Sequence, residues 1–489
     1  MISAAIPIPQ PVSIATTPQT ALRRAFWVAV AALAITITAT ARPQYAESAI
    51  GCALILATSL LPSWMWITGK VKGLPLFPIY ALTHSWTFGV PLVYEHPIVT
   101  LFPASNQITA AVSVAAFLLI GTFVWYLIGR RPVTPISRCL LLKAERADLL
   151  FLFTLFGGTL FTIATTADWF ELSEGVYPIV RALTLALEAL ACFVLGFRSG
   201  SGQLTATKTV AYKVLLGALL LSTLPSLLLI NSMSIAGVAA LGFTVGARRF
   251  PWKMGVIAVC IFGFLHLGKS AIRERYWIKD EDFIMQPADY PALVTDWIKL
   301  SAANVTGSAI EEDEAGQSLL ERASLMQLLL YVQMLTPDSV PYMNGETYAI
   351  IPNLLVPRIF NAQKVASHEG TFLLNIHYGF QTREATERTT VGFGLLNEAF
   401  ANFGFVGIAG LATVMGGFYG FVGRLARTAP ILSFRSLFAV VVASYSFQAE
   451  FASGVLVAAL FQSTVALVGV ALIFMRQADV DPAESLMLE

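Results

Sequence analysis

The sequence has little charge. Only 12% of its 489 residues are Asp, Glu, Lys or Arg, whereas 56% are hydrophobic and the mean hydropathy is +0.69. An average soluble domain carries about 25% charged residues, so the chain lacks the charge needed to cover several soluble domains. The composition argues against a soluble enzyme, a disordered chain and a disulfide-rich secreted module. It predicts a protein that crosses a membrane many times.

Cysteine is scarce as well. Cys52, Cys139, Cys192 and Cys260 stand singly, and neither a C-x-x-C motif nor a Cys/His pair occurs. Structural zinc sites and disulfide frameworks use clustered cysteines, so we expect neither. The chain also has no repeat of fixed period and no inverted symmetry between two halves, which weakens the case for a secondary transporter.

Apolar segments of about 20 residues, the length that crosses a bilayer, recur along the chain. They predict an all-α integral membrane protein with about 12 transmembrane helices, near residues 25–41, 46–68, 74–94, 108–129, 149–167, 176–197, 210–230, 232–247, 252–269, 403–424, 431–449 and 452–475. Pro75, Pro78, His84 and Pro91 interrupt the third segment, which favours a broken or re-entrant helix there.

These segments divide the chain into five predicted regions. They are a disordered cytoplasmic tail (1–24), a membrane domain with spans 1–9 (25–269), one large loop domain (270–395), a membrane domain with spans 10–12 (396–475) and a cytoplasmic tail (476–489). Within the loop, the apolar stretch 319–335 predicts a short interfacial or re-entrant helix.

Basic residues in the short loops indicate the orientation. Every second loop is rich in Lys and Arg, whereas the alternate short loops hold only Arg42 among acidic residues. Positive charges stay on the cytoplasmic side. We therefore expect both termini in the cytoplasm and the loop 270–395 on the outer side.

Cations gather around this outward loop. They are Arg181, one turn inside the sixth span, then Lys269, Arg273 and Arg275 after the ninth, and Arg322, Arg358, Lys364, Arg383 and Arg388 in the loop. Each one alone is explained by snorkelling or by surface exposure. As a group they predict an anion site, because Arg binds phosphate through bidentate, charge-assisted hydrogen bonds.

Three motifs in and after the loop resemble a known family. Residues 344–348 read NGETY, residues 351–358 read IPNLLVPR, and residues 391–407 read VGFGLLNEAFANFGFVG. Their order and placement resemble the Wzy-type O-antigen and exopolysaccharide repeat-unit polymerases. The resemblance covers about residues 340–410 in motif and the whole chain in topology. One departure is that Lys364 is followed by valine, where the family pattern has proline.

The resemblance implies a membrane glycosyltransferase of the bacterial inner membrane, with its large loop in the periplasm. It would polymerise undecaprenyl-pyrophosphate-linked oligosaccharide repeat units without a cofactor or a metal. Cations would stabilise the leaving pyrophosphate, and a base would activate the acceptor hydroxyl. The expected partners are the lipid-linked oligosaccharide, the lipid bilayer, a chain-length regulator and a flippase, with no nucleic acid.

Candidate residues follow for each role. The pyrophosphate candidates are Arg181, Arg273, Arg275, Arg322, Arg358 and Lys364. Glu398 is the leading base, with His377, His368 and Glu369 as rivals, and Asn402, Tyr348 and Trp277 are the sugar-binding candidates. Structural alternatives stay open: Glu398 would instead pair with a loop arginine, and the aromatic rings would pack within the loop. The acidic runs 280–282 and 311–314 are expected to be solvated loop charge.

Two other functions stay open. One is an O-antigen ligase-type glycan transferase, which has a similar build. The other is a lipid-linked oligosaccharide flippase or other transporter, which needs polar residues along a route through the membrane. The spans before the loop hold few internal charges, chiefly Arg181, Glu188 and Lys213.

Overall fold

A computed structural model describes the chain from residue 19 to residue 479. The gaps are residues 95, 135, 171, 173–175, 228, 248, 250, 274, 277–283, 307–323, 357–360, 362–363 and 389–390. The predicted disordered tail lies mostly outside the described residues, as do both acidic runs.

The described residues are almost entirely helical. The helices are α1 (Gln19–Thr40), α2 (Ala46–Ile67), α3 (Leu76–His84), α4 (Ala104–Gly129), α5 (Ala144–Thr166), α6 (Tyr177–Gly200), α7 (Ala206–Ser222), α8 (Leu229–Ala247), α9 (Trp252–Leu267), α10 (Lys269–Arg273), α11 (Tyr290–Thr306), α12 (Leu325–Leu335), α13 (Glu346–Ala349), α14 (Ile351–Leu355), α15 (Glu369–His377), α16 (Arg383–Arg388), α17 (Leu395–Arg427), α18 (Phe434–Tyr445) and α19 (Ser453–Phe474). We call the end of the bundle that α13–α15 cover the loop side.

Among the described residues, nine helices are long and apolar enough to cross a membrane: α1, α2, α4 to α8, α17 and α19. They coincide with nine of the predicted spans, so the prediction of a multi-pass helical membrane protein is confirmed. The other three predicted spans, 74–94, 252–269 and 431–449, contain the shorter helices α3, α9 and α18. The number of twelve crossings stays a prediction.

The third predicted span is a broken helix, as its prolines indicated. Helix α3 ends at His84, and the chain continues through a π-helical turn at Ser85–Gly89 and a 3₁₀ turn at Val90–Leu92. Proline has no N–H and its ring clashes with the carbonyl four residues earlier. Pro91 therefore fits a 3₁₀ turn better than the interior of a regular helix.

Helices α6 and α8 are in close contact through glycines on both partners. Gly196 and Gly200 on α6 face α8, and Gly242 and Gly246 on α8 face α6. A Cβ atom added at Gly196 would lie 2.7 Å from the carbonyl oxygen of Ala239. Each helix thus carries a G-x-x-x-G pattern, which lets two backbones approach within a membrane. The sequence analysis did not identify this pair.

Helix α12 lies inside the protein. Its residues Leu325, Met326, Leu329 and Leu330 are buried, and the helix packs on α4 and α17. The stretch 319–335 was expected to form an interfacial or re-entrant helix. The part that is described is enclosed by other helices, which favours the re-entrant alternative; residues 319–323 lie outside the described residues.

A two-stranded ribbon lies at the end of the bundle opposite the loop side. Strand β1 (Arg138–Leu142) pairs antiparallel with β2 (Met475–Asp479). These residues were predicted to be a basic loop, the last residue of the twelfth span and the start of the cytoplasmic tail, and the sequence analysis did not identify the two strands. The ribbon is small, and the bundle defines the fold.

Replacing Gly242 with alanine will destabilise the bundle, because a Cβ atom there overlaps the carbonyl group of Phe193. Overpacking of this kind costs about 1–3 kcal/mol, so we expect a lower thermal unfolding midpoint in detergent. The control is Gly217→Ala on α7, where a Cβ atom meets nothing within 4 Å. Equal midpoints for the two variants would show that the glycine contact is not needed.

Candidate functional site

The start of α17 is kinked next to the loop. Phe403 and Gly404 leave helical geometry, and Gly404 has φ 59° and ψ −143°, a conformation that only glycine adopts readily. A Cβ atom at Gly404 would lie 2.8 Å from the hydroxyl oxygen of Tyr342. The Asn-Phe-Gly part of the sequence motif therefore makes a bend against which the loop packs.

Asn402 fastens the loop to this bend. Its side-chain Nδ2 donates to Oγ1 of Thr347 (2.9 Å) and to the carbonyl oxygen of Glu398 (2.8 Å), while Oδ1 accepts from the backbone N–H of Gly345 (2.9 Å). The side chain is fully buried. It has no surface for a sugar in this conformation, so the structure favours a structural role over the predicted sugar contact.

Glu398 holds the start of α19. Its Oε2 accepts from the backbone N–H of Ser453 and its Oε1 from the hydroxyl of Ser453, both at 2.6 Å. The N-cap residue of α19, Ala452, has no side chain that could cap the helix. A carboxylate at a helix N-terminus satisfies free N–H groups and interacts favourably with the helix dipole.

Glu398, the leading candidate for the base, is therefore not placed where it could reach an acceptor hydroxyl. Its side chain is fully buried, and no ion pair to it occurs among the described residues. Thr347 adds a further side-chain hydrogen bond to its carboxylate. This geometry favours a structural role, and the catalytic role stays a prediction without geometric support.

Tyr348, a sugar-binding candidate, and the rival base candidates His377 and Glu369 also have partners within the loop or the bend. Tyr348 stacks on Phe403, with ring centroids 6.1 Å apart and an interplanar angle of 9°. His377 donates from Nε2 to the carbonyl oxygen of Pro341 at 2.9 Å. Glu369 accepts two hydrogen bonds from the guanidinium of Arg383, at 2.7 and 2.9 Å. Packing and pairing thus account for these three candidates.

His368 differs from them. It is an exposed residue at the start of α15, and its imidazole stacks on Phe372. Desolvation by the surrounding protein lowers the pKa of His368, and the nearby charge of Arg181 lowers it further. The imidazole is therefore neutral near pH 7, which is the form that accepts a proton.

Arg181 lies at a polar cavity. The cavity has a volume of about 260 Å³ and lies among α5, α6, α8 and the end of α18. Its lining includes Thr162, Thr166, Arg181, Glu188, Asn231 and Gln448. Because Arg181 is exposed and Glu188 is 1% exposed, the cavity runs from the surface into the bundle.

Arg273 lies beside the same cavity. Its guanidinium donates to the carbonyl oxygen of Leu227 at 3.0 Å, next to Ser226 in the cavity lining. Desolvation raises the pKa of Glu450, whereas Lys269 and Arg273 oppose that shift by their charge. Glu450 follows the lining residue Gln448 by two positions. Two basic side chains therefore accompany Arg181 on the loop side.

The other predicted cations are placed differently. Arg275 pairs with Asp296 on α11 at 3.2 Å, and Lys364 donates to the carbonyl oxygen of Leu354 at 2.5 Å. Arg322, Arg358 and Trp277 lie outside the described residues. Of the six predicted pyrophosphate ligands, the structure brings Arg181 and Arg273 to one cavity, and their binding role stays a prediction.

The sequence analysis did not assign the polar lining of the cavity. Arg181, Thr184 and Glu188 follow one another at three- and four-residue spacing on α6, and Thr165 and Thr166 lie three and four residues after Thr162 on α5. Residues at these spacings share one helix face. A polar stripe along one face of an apolar span was thus the signal in the sequence that indicated the cavity.

Comparisons with known proteins add no assignment: no protein-family model, curated protein or solved structure matches the chain. Within the part of the chain that the structure describes, no three His, Cys, Asp or Glu side chains come together where they could hold a metal ion.

Replacing Asn402 with alanine will destabilise the loop side, because Thr347 and the N–H of Gly345 lose buried partners. An unsatisfied buried group costs about 1–3 kcal/mol, so the thermal unfolding midpoint should fall and proteolysis of residues 343–356 should speed up. Thr413→Ala, at an exposed position of the same helix, is the control. If the two variants resist heat and protease equally, Asn402 does not fasten the loop.

Proposed function

We propose that the chain is a membrane glycosyltransferase that polymerises undecaprenyl-pyrophosphate-linked oligosaccharide repeat units. The proposal includes twelve membrane crossings, both termini in the cytoplasm, and the loop side at the periplasmic face of a bacterial inner membrane. The observation that carries it is the proximity of Arg181, a cation at a polar cavity, to His368, whose imidazole pKa the charge of Arg181 lowers. Helix α15, which starts next to His368, and helix α6, which carries Arg181, both pack on α19.

These two groups have complementary chemistry for the transfer. The bond between the anomeric carbon of the growing glycan and the lipid pyrophosphate breaks, and a bond from that carbon to an acceptor hydroxyl forms. Arg181 stabilises the charge on the departing pyrophosphate, with Arg273 close by. His368 accepts the proton of the acceptor hydroxyl, for which a neutral imidazole is required.

The positions of the resembling motifs support the same proposal. Gly345 in the first motif and Asn402 in the last are joined by a hydrogen bond of 2.9 Å. Gly404 makes the bend that receives the loop. The motif residues thus hold the loop against the bundle and leave the chemistry to side chains nearby.

A transporter is less well supported than a transferase. Carriers need polar groups through the full thickness of the membrane. The lining residues of the cavity come from the loop-side halves of their helices, such as Thr162 on α5, Glu188 on α6 and Asn231 on α8. The cavity reaches the middle of the bundle from one side, which suits a site that receives substrate from that side.

In cells that lack the gene, expression of Arg181→Gln or His368→Ala should leave the surface glycan as single repeat units, whereas the wild type restores long chains. Arg181→Gln removes the group that stabilises the leaving pyrophosphate, and His368→Ala removes the base. The readout is the glycan ladder on a gel, with protein levels measured in parallel.

The matched control for Arg181 is Arg138→Gln, which removes an exposed arginine on the strand ribbon and should restore long chains. Long chains from both site variants would refute the assignment of the site. Accumulation of long lipid-linked chains in the deletion strain would indicate a ligase.

The pH dependence of polymer formation will test whether the charge of Arg181 lowers the pKa of His368. Since the pKa of His368 is lowered, wild-type activity should persist as the pH falls to 6.5 and decline only below it. Loss of the positive charge in Arg181→Gln raises the pKa of His368, so the decline should begin at higher pH. The measurement is the pH–rate profile of purified wild type and of the residual rate of Arg181→Gln with lipid-linked repeat units, each normalised to its own maximum. An acid limb that does not move contradicts the role of His368.

A further inference from the structure

Glu188 is an ionisable residue at the middle of an apolar helix. It lies halfway along α6 (Tyr177–Gly200), is 1% exposed, and lines the cavity that begins at Arg181. Its Oε1 atom has no hydrogen-bond partner among the described residues. A buried carboxyl oxygen without a partner is costly, and an ionisable group inside a membrane usually marks a functional site.

Several hydroxyl groups of the cavity wall present acceptors to a ligand. Thr165 and Thr166 on α5 donate to backbone carbonyl oxygens of their own helix at 2.9 and 2.8 Å, and Ser444 on α18 does so at 2.7 Å. A hydroxyl that has donated its one hydrogen presents lone pairs alone. Together with the unpartnered carboxyl oxygen of Glu188, these oxygens favour a ligand that donates hydrogen bonds.

The charges around the mouth restrict that ligand further. Arg181 lines the mouth, and Lys269 and Arg273 lie near it, beside Glu450. These positive charges oppose the entry of a cation, the other kind of ligand that an acceptor-rich wall suits. They favour a neutral, hydroxyl-bearing ligand with an anionic group at one end.

We propose that the cavity is a sugar subsite for the residue next to the pyrophosphate of a lipid-linked glycan. The ring hydroxyls donate to Glu188 and to the wall, and the phosphate meets Arg181. Glu188 follows Arg181 by seven positions on α6, which is about 10 Å along the helix axis. The volume of about 260 Å³ lies below the range of about 300–1,000 Å³ typical of larger ligands, so we expect the subsite to hold about one sugar ring.

This inference rests on the proposed function, because it takes a lipid-linked glycan as the ligand. It adds that the first sugar, and not only the pyrophosphate, is recognised inside the bundle. Glu188 is then a specificity-determining residue that touches substrate without taking part in the bond exchange.

Two variants test the subsite by different means. Glu188→Gln keeps the size of the side chain and removes the carboxyl group, whereas Ala189→Leu fills the cavity and leaves every polar group in place. Thr154→Val is the control, since Thr154 lies two turns before the lining residue Thr162 on α5 and does not line the cavity.

The probes are a glycan-bearing polyprenyl diphosphate extracted from the native membranes and the same polyprenyl diphosphate without sugar. Binding of each to purified protein in detergent gives the contribution of the sugar. We expect wild type and Thr154→Val to bind the glycan-bearing lipid more tightly. In Glu188→Gln and Ala189→Leu that preference should fall by roughly ten- to a hundredfold, with binding of the sugar-free lipid unchanged.

Three results overturn the subsite. They are an absence of preference in the wild type, a preference retained by both variants, and displacement of the glycan-bearing lipid by Na⁺, which would indicate a cation site. Polymer formation measured on the same preparations separates the two proposals. If the variants keep the preference and polymer still forms, the proposed function stands and the subsite is wrong. If the variants lose the preference but no preparation, wild type included, forms polymer, the subsite stands and the polymerase function is wrong.

Discussion

The hydrogen bonds of Glu398 and Asn402 hold the loop side of the protein together. The two residues are one turn apart on α17, and they bind two different segments: the first turn of α19 and residues 345–347. Helix α19 packs on α6, and the loop helices α14 and α15 pack on α19. One turn of one helix thus sets where the loop sits relative to α6.

This arrangement places His368 near Arg181. His368 is the N-cap residue of α15 and Arg181 lies in the first turns of α6. Both helices pack on α19, which brings the charge of Arg181 close enough to lower the pKa of His368. The bonds at Glu398 and Asn402 are buried, and buried polar networks are strong and rigid when every member has a partner. The motif residues therefore position the loop relative to α6, and they are not themselves part of the site near Arg181 and His368.

Polar groups in the bundle fall into two kinds. Asp148 is buried and holds Arg198 and Lys208 at 2.5 and 2.8 Å, and Asn402 is buried with its bonds satisfied. Glu188 is as deeply buried and lines a cavity, yet its Oε1 atom, which lies against Gly158 of α5, has no hydrogen-bond partner among the described residues. Buried polar groups normally have hydrogen-bond partners, so a carboxyl group that lines a cavity and has an unpartnered oxygen favours a place for a ligand.

The long helices could be predicted from the sequence, because about 20 apolar residues in a row are a local signal. The ribbon between Arg138–Leu142 and Met475–Asp479 could not, because it pairs segments more than 300 residues apart. The motif around Glu398 was recognised, but its position at the start of a span suggested a base. Its actual partner, Ser453, follows 55 residues later, and only the fold brings the two together. Arg181 and His368 were identified singly, and their proximity required the structure.

The most direct test of the account is an experimental structure of the protein with polyprenyl diphosphate bound in lipid nanodiscs. The account predicts density for the diphosphate at the guanidinium of Arg181, at the mouth of the cavity and beside His368. Density for the diphosphate at another place, for example at Arg275, together with an empty cavity mouth would contradict the account.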